Sequence, residues 1–187
     1  MATTRTRRFL SSLGAAATLA GAVVAGAPVA QAAQPGPCDL APALHIPQKV
    51  YNGAGGVLDL PQNNEVNGQW VGVYSANDWS SAQTWSVWGY CDGTTAIAHD
   101  GSGKVVDLDT RSGAVRLWDT PGGRDGLNQP AGNWMPANQK WWLTDQDRGW
   151  YLVRNAATGQ CLTSNGVGRG TSMAGCNTAD PAQRWML

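Results

Sequence analysis

Side chains able to do acid–base or nucleophilic chemistry are few along this 187-residue chain and stand apart from one another. Two aspartate pairs, Asp107/Asp109 and Asp145/Asp147, have the spacing that places both carboxylates on one face of a strand. Hydrolysis of a glycosidic bond needs two carboxylates flanking the bond, one with a raised pKa, and no other signal singles out either pair. Gly-x-Ser-x-Gly, His-Glu-x-x-His and Cys/His nucleophile arrangements are missing. His45 and His99 lie far apart and no cysteine pair has zinc-finger spacing, so neither a metal nor a cofactor is expected. These residues argue against an enzyme. What remains is recognition chemistry: carboxylates that accept charge-assisted hydrogen bonds, amides that both donate and accept, and ten tryptophans.

Three of those tryptophans stand in one pattern. Gln-x-Trp occurs at Gln83-Thr84-Trp85, Gln139-Lys140-Trp141 and Gln183-Arg184-Trp185, preceded by Ala82, Asn138 and Ala182. Each copy closes a stretch with a similar opening, running through Asn-Gly-Ala-Gly-Gly-Val-Leu to Asp59, Gly-Ser-Gly-Lys-Val-Val to Asp107, and Ala-Thr-Gly-Gln-Cys-Leu to Thr163. Self-similarity on this scale means one supersecondary unit used three times. Short apolar runs at 57–60, 105–108 and 114–118 read as strands, separated by turns such as Asn52-Gly53, Asp100-Gly101, Ser112-Gly113, Gly122-Gly123 and Asn165-Gly166. No stretch beyond residue 32 keeps a helical apolar period. The fold class is all-β.

The chain resembles the ricin-B-type lectins, whose threefold β-trefoil carries Gln-x-Trp at the end of each repeat. The resemblance runs from about Tyr51 to the last residue and implies a trefoil over 51–187, with repeats near 51–88, 89–142 and 150–187. It implies that Trp85, Trp141 and Trp185 belong to the core and that the activity is carbohydrate binding, usually of galactose-type or related sugars. The implied site combines a carboxylate for two neighbouring hydroxyls, an aromatic face for the C–H surface of the ring, and an orienting amide. In the second repeat Asp107 holds the carboxylate position, Trp118 the platform, Asn138 the amide and Gln139 the supporting place. Arg116 stands where the family often has a polar residue touching the sugar, and would favour an acidic one. The first repeat matches in part and offers a possible second site: Asp59, Tyr74 and Gln83 are in place, Ala82 replaces the amide, and Asn77 and Trp79 lie nearby. The third keeps Trp185 but has Thr163 and Ala174 at the carboxylate and aromatic positions, and is structural. The second repeat carries 12 extra residues within 119–137, rich in Gly, Pro and Asn and containing Trp134, a surface loop of the kind that concentrates function.

The first 32 residues read as a signal peptide: Arg5, Arg7 and Arg8, an apolar run from Leu13 to Val29, then Ala30-Gln31-Ala32. Export through the general route is expected, since the spacer of a twin-arginine signal is missing after Arg7-Arg8, and no membrane anchor is expected. A proline-rich arm over 33–50 follows. Removing 32 of 187 residues leaves 155, enough for one domain, with 10 basic against 13 acidic residues. No basic run survives to bind nucleic acid. Four cysteines in a secreted domain suggest two disulfides with three possible connectivities. The family often closes its own repeat with a bridge, which implies Cys161–Cys176 and leaves Cys38 with Cys91. A loop of the 161–176 size stabilises by about 3 kcal/mol in the chain-entropy view. The expected partners are glycans or polysaccharides met outside the cell; the alternative is a trefoil with decayed sugar sites that binds proteins, or one that inhibits proteases through a loop at Thr120–Pro136.

Overall fold

Gly-rich turns cut the apolar sequence into short pieces, and among the described residues these form twelve strands. The computed structural model describes residues 47–90, 92–121 and 135–187, all within the unit Pro35–Leu187. Strands β1 (Tyr51–Asn52), β2 (Val57–Asp59), β3 (Gly72–Tyr74) and β4 (Trp85–Gly89) make the first lobe. The second holds β5 (Thr95–His99), β6 (Val105–Asp109), β7 (Ala114–Trp118) and β8 (Trp141–Asp147). The third holds β9 (Trp150–Asn155), β10 (Cys161–Ser164), β11 (Arg169–Ala174) and β12 (Arg184–Met186).

The first and last strands of the lobes pair antiparallel in the order β1–β12–β9–β8–β5–β4. Gln48, just before β1, closes the ring by exchanging backbone bonds of 2.8 and 2.9 Å with Trp85. A closed ring presents no edge strands for pairing with another chain. The middle strands form three hairpins, β2–β3, β6–β7 and β10–β11. They meet at Val71, Val115 and Thr171, which hold equivalent places in the repeats: Val71 N donates to Val115 O at 3.3 Å, and Thr171 N to Val71 O at 2.9 Å.

The three repeat tryptophans occupy one environment three times. Trp85, Trp141 and Trp185 are fully buried in the same core cluster as Leu58, Val106 and Leu162. Their indole Nε1 groups donate to Leu58 O (3.0 Å), Val106 O (3.1 Å) and Leu162 O (2.9 Å). Each side chain thus ties a barrel strand to its own lobe's hairpin. A second threefold feature escaped the sequence reading, which took Asn52-Gly53 only as a turn. Asn52, His99 and Asn155, all buried, reach the one-turn 3-10 segment before a Gln-x-Trp strand. Asn52 Nδ2 donates to Ala182 O at 3.0 Å, Asn155 Nδ2 to Asn138 O at 3.0 Å, and His99 Nε2 lies 3.0 Å from Ser81 O. A carbonyl only accepts, so His99 carries its proton on Nε2. The histidine considered as a metal ligand is a structural hydrogen-bond donor.

Cys161 and Cys176 are bonded, closing the third lobe's outer hairpin. Residues 1–46, Cys91 and 122–134 lie outside the described residues, and with them fall the leader, the arm up to His45, the Cys38–Cys91 pairing, Gly122-Gly123 and Trp134.

Replacing Trp141 by Phe keeps an aromatic ring, removes the indole N–H and leaves Val106 O buried without its donor. We expect a loss of about 1–3 kcal/mol in urea unfolding, with similar losses for the same change at Trp85 and Trp185. A much smaller loss at one of the three would break the equivalence.

Candidate functional site

The β6–β7 hairpin brings the second lobe's candidates together. Register pairs Asp107 with Arg116 and Val105 with Trp118, so Arg116 is the cross-strand neighbour of Asp107 and Trp118 follows two residues along. Asp107, Arg116, Trp118 and Asn138 line one open cavity of about 390 Å³, together with Asp109 and Arg111. Trp118 is 43% exposed and Asp107 7%. Asn138 comes from the 3-10 turn Ala137–Gln139. Its Nδ2 donates to Asp107 Oδ2 at 2.9 Å and to Leu108 O at 3.1 Å. Both amide hydrogens are therefore occupied within the protein, and Asn138 orients the carboxylate while offering only its oxygen outward. That differs from the donor-and-acceptor role the sequence assigns it.

Gln139 does not line the cavity. It is buried, and its Nε2 donates to Asp119 O at 3.0 Å. The equivalents do the same: Gln83 Nε2 to Ser75 O and Gln183 Nε2 to Gly175 O, both 3.0 Å. In those lobes the glutamine oxygen also accepts a backbone N–H, from Asn77 at 2.8 Å and Asn177 at 2.7 Å. The matching residue in the second lobe is Pro121, which has no N–H. Gln139 Oε1 accordingly finds no donor among the described residues. The proline sits where the longer loop departs, and the buried acceptor it strands is a local cost of that departure.

Arg116 reaches toward Gly68 of the first lobe, as does Trp118, and its charge helps to hold Asp109 below the ordinary carboxylate range. The larger influence on Asp109 is its turn, through Ser112 and the backbone of Arg111. Burial pushes Asp107 above its ordinary 3.8; the Gln139 amide opposes this, Asp109 adds to it, and Asn138 opposes it again.

The first lobe arranges its parts differently. Asp59 is held by Gln83 Nε2 at 2.9 Å, the place of Asn138 being taken by buried Ala82. Asp59, Tyr74 and Gln83 line a cavity of about 670 Å³, and Tyr74 is 57% exposed. Burial raises Asp59 above 3.8, opposed by Gln83 and then by His99. In the third lobe Gln183 bonds Thr163 Oγ1 at 3.2 Å, so the hydroxyl stands in for the carboxylate as an internal acceptor. Missed in the sequence was Trp70, which lines the first cavity and is 43% exposed. Its signal was available: the equivalent positions in the other hairpins hold Ala114 and Gly170.

Two outcomes follow from this geometry. Pro121→Ala restores an N–H beside Gln139 Oε1 and should stabilise by about 1 kcal/mol, since satisfying a buried acceptor outweighs the lost proline rigidity; an unchanged or lower urea midpoint would contradict it. Asp107 has a raised folded-state pKa, so its favourable contribution is complete below pH 3.8 and is lost as pH rises through the folded value. Asp107→Asn should therefore match wild type in thermal unfolding below pH 3.8 and exceed it at neutral pH.

No protein-family model matches the sequence, and no curated protein matches it. Solved structures are similar in fold. A designed threefold-symmetric protein, ThreeFoil, is 22% identical, with a TM-score of 0.60 over 74% of this chain and 94% of that one. An exo-β-1,3-galactanase from Clostridium thermocellum is 20% identical, with a TM-score of 0.61; 78% of this chain covers 30% of that one. A Polyporus squamosus lectin bound to an influenza-binding epitope is 18% identical, with a TM-score of 0.54 over 76% of this chain and 48% of that one. This chain spans less than half the length of either natural protein. Three four-strand lobes around one closed barrel, superposing on a designed threefold protein, make the chain a β-trefoil.

Proposed function

We propose that the protein is a secreted carbohydrate-binding module that recognises a galactose-type or related sugar, mainly through the second lobe. The observation carrying this reading is the convergence of Asp107, Trp118 and Asn138 on one open cavity. Asn138 fixes the carboxylate so that its remaining acceptor sites face outward, where two sugar hydroxyls can donate. Trp118 supplies a half-exposed ring for the sugar's C–H face, and Arg116 a cation for an acidic substituent. The lectin and the galactanase among the structural neighbours agree with a glycan partner. Asp59, Tyr74 and Gln83 form a weaker second site, and the third lobe is scaffold.

Binding without cleavage is the better account of Asp107 and Asp109. A glycosidase needs a second carboxylate free to act, whereas Asp109 is taken up by its turn. Asp109 Oδ1 accepts from Arg111 N at 3.0 Å and Oδ2 from Ser112 Oγ at 2.6 Å. An open site implies weak affinity for a single sugar, about −4 kcal/mol or a millimolar constant. Useful strength then comes from multivalent display on a glycan surface.

A glycan array followed by titration tests the reading. Asp107→Ala and Trp118→Ala should each abolish binding of the single sugar, while Asp59→Ala should weaken it little. Arg116→Ala should remove any preference for a uronate over a neutral galactoside. Single-sugar binding that survives Asp107→Ala but is lost in Thr163→Ala would reverse the ranking of the lobes and sink the proposal.

A further inference from the structure

The threefold repeat supplies its own control, because side chains at equivalent positions show what the scaffold requires. By register, Asp59 pairs with Gly72, Asp107 with Arg116 and Thr163 with Ser172. Where the second lobe has an arginine across from the residue that bears its carboxylate, the first has no side chain at all. Trp70 fills that space: a Cβ on Gly72 would meet its ring at 2.3 Å, and one on Gly170, the cross-strand neighbour of Gly72, at 3.3 Å. The indole rests on a floor of two glycines, and 43% of the residue stays exposed over the cavity that holds Asp59 and Tyr74.

Trp79 is the second departure. It is 95% exposed, and its backbone N–H closes a turn on Asn77 Oδ1 at 3.1 Å. The third lobe builds the same turn, with Ala179 N donating to Asn177 Oδ1 at 3.0 Å. An alanine suffices there, so the turn does not need an indole. Trp79 stands between Asn77 and Ser80, both on the rim of the first cavity. That cavity is wider than the second lobe's, about 670 against 390 Å³, and neither Lys nor Arg is among its lining residues. It also lacks a counterpart of Asn138, Ala82 standing in that place.

Taking carbohydrate as the ligand from the reading above, we propose that the first lobe binds a neutral glycan longer than one sugar, with Trp70 and Trp79 as added platforms beyond the Asp59–Tyr74 unit. Aromatic area spread over successive sugars offsets the missing asparagine, and with no Lys or Arg among the cavity's lining residues an acidic chain gains no advantage there. The two lobes then divide the work. The second takes a terminal sugar and the first an extended run.

Calorimetric titration of Asp107→Ala with neutral galactose- and glucose-based oligosaccharides of one, two and four units tests this. Single-sugar binding should be gone, while the four-unit glycan should still bind. Adding Asp59→Ala, Trp70→Ala or Trp79→Ala should weaken that binding by about tenfold or more. Trp79→Ala is decisive, since its side chain is solvent-exposed and its turn forms with alanine in the third lobe. Affinity that does not rise with length, Trp79→Ala behaving as its parent, or uronate chains binding as well as neutral ones would overturn the proposal. If Asp107→Ala spares the single sugar while the length series behaves as expected, the second-lobe reading fails and this one stands. If the wild-type protein binds none of the glycans, both fail.

Discussion

Three indole N–H groups bonded to three hairpin carbonyls hold this fold to its function. In each lobe the barrel carries the closure and one tryptophan ties it to the hairpin, and in the first two lobes the hairpin carries the candidate site. Fully buried at Trp85, Trp141 and Trp185, the ring contributes the area expected of a large aromatic, while its single polar atom has one permitted partner. The preceding glutamine acts in the other direction, gripping the loop that follows the aromatic position. Gln-x-Trp is thus a two-sided clamp beneath a site, with the Trp fixing the hairpin's depth and the Gln its outer loop.

Both candidate sites place a carboxylate where burial disfavours its charge, and both hold it with a neutral amide instead of a cation. That arrangement leaves the oxygens basic enough to accept from hydroxyls and not neutralised by an internal ion pair. The third lobe shows the scaffold without that demand. Thr163 meets Gln183 with a hydroxyl, no buried charge arises, and the Cys161–Cys176 bond closes the hairpin instead. Among the described residues, site chemistry and covalent reinforcement fall on different lobes of one repeated frame.

The fold was legible because its determinants repeat: rare tryptophans at matched positions, and turns whose glycines separate short apolar runs. Asp107, Arg116 and Trp118 could be placed together because a two-stranded hairpin converts sequence spacing into register almost without freedom, and Asn138 by its place just before Gln-x-Trp. The hydrogen-bond roles were not legible. Nothing in the sequence says that Asn138 turns its hydrogens inward, or that a proline at 121 strands the oxygen of Gln139, because both depend on chain segments far apart in sequence. Asn52, His99 and Asn155 were missed for a related reason: two residue types perform one task, and sequence comparison sees a mismatch where the backbone sees the same donor. Trp70 was overlooked because its meaning lies in Gly72 and Gly170, whose missing side chains make its place.

The uneven burial of the tryptophans gives the molecule an optical consequence. Three indoles lie in a dry, rigid core, while Trp70, Trp79 and Trp118 meet water at 43%, 95% and 43% exposure. Emission from the core set should lie to the blue and resist collisional quenchers, and that from the outer set should lie to the red and yield to them. Trp70 and Trp118 each line one of the two cavities, while Trp142, 37% exposed, lines neither, so occupancy of either cavity would alter a part of the red emission while the core signal continued to report folding. One chain carries separate lamps for its integrity and its contacts.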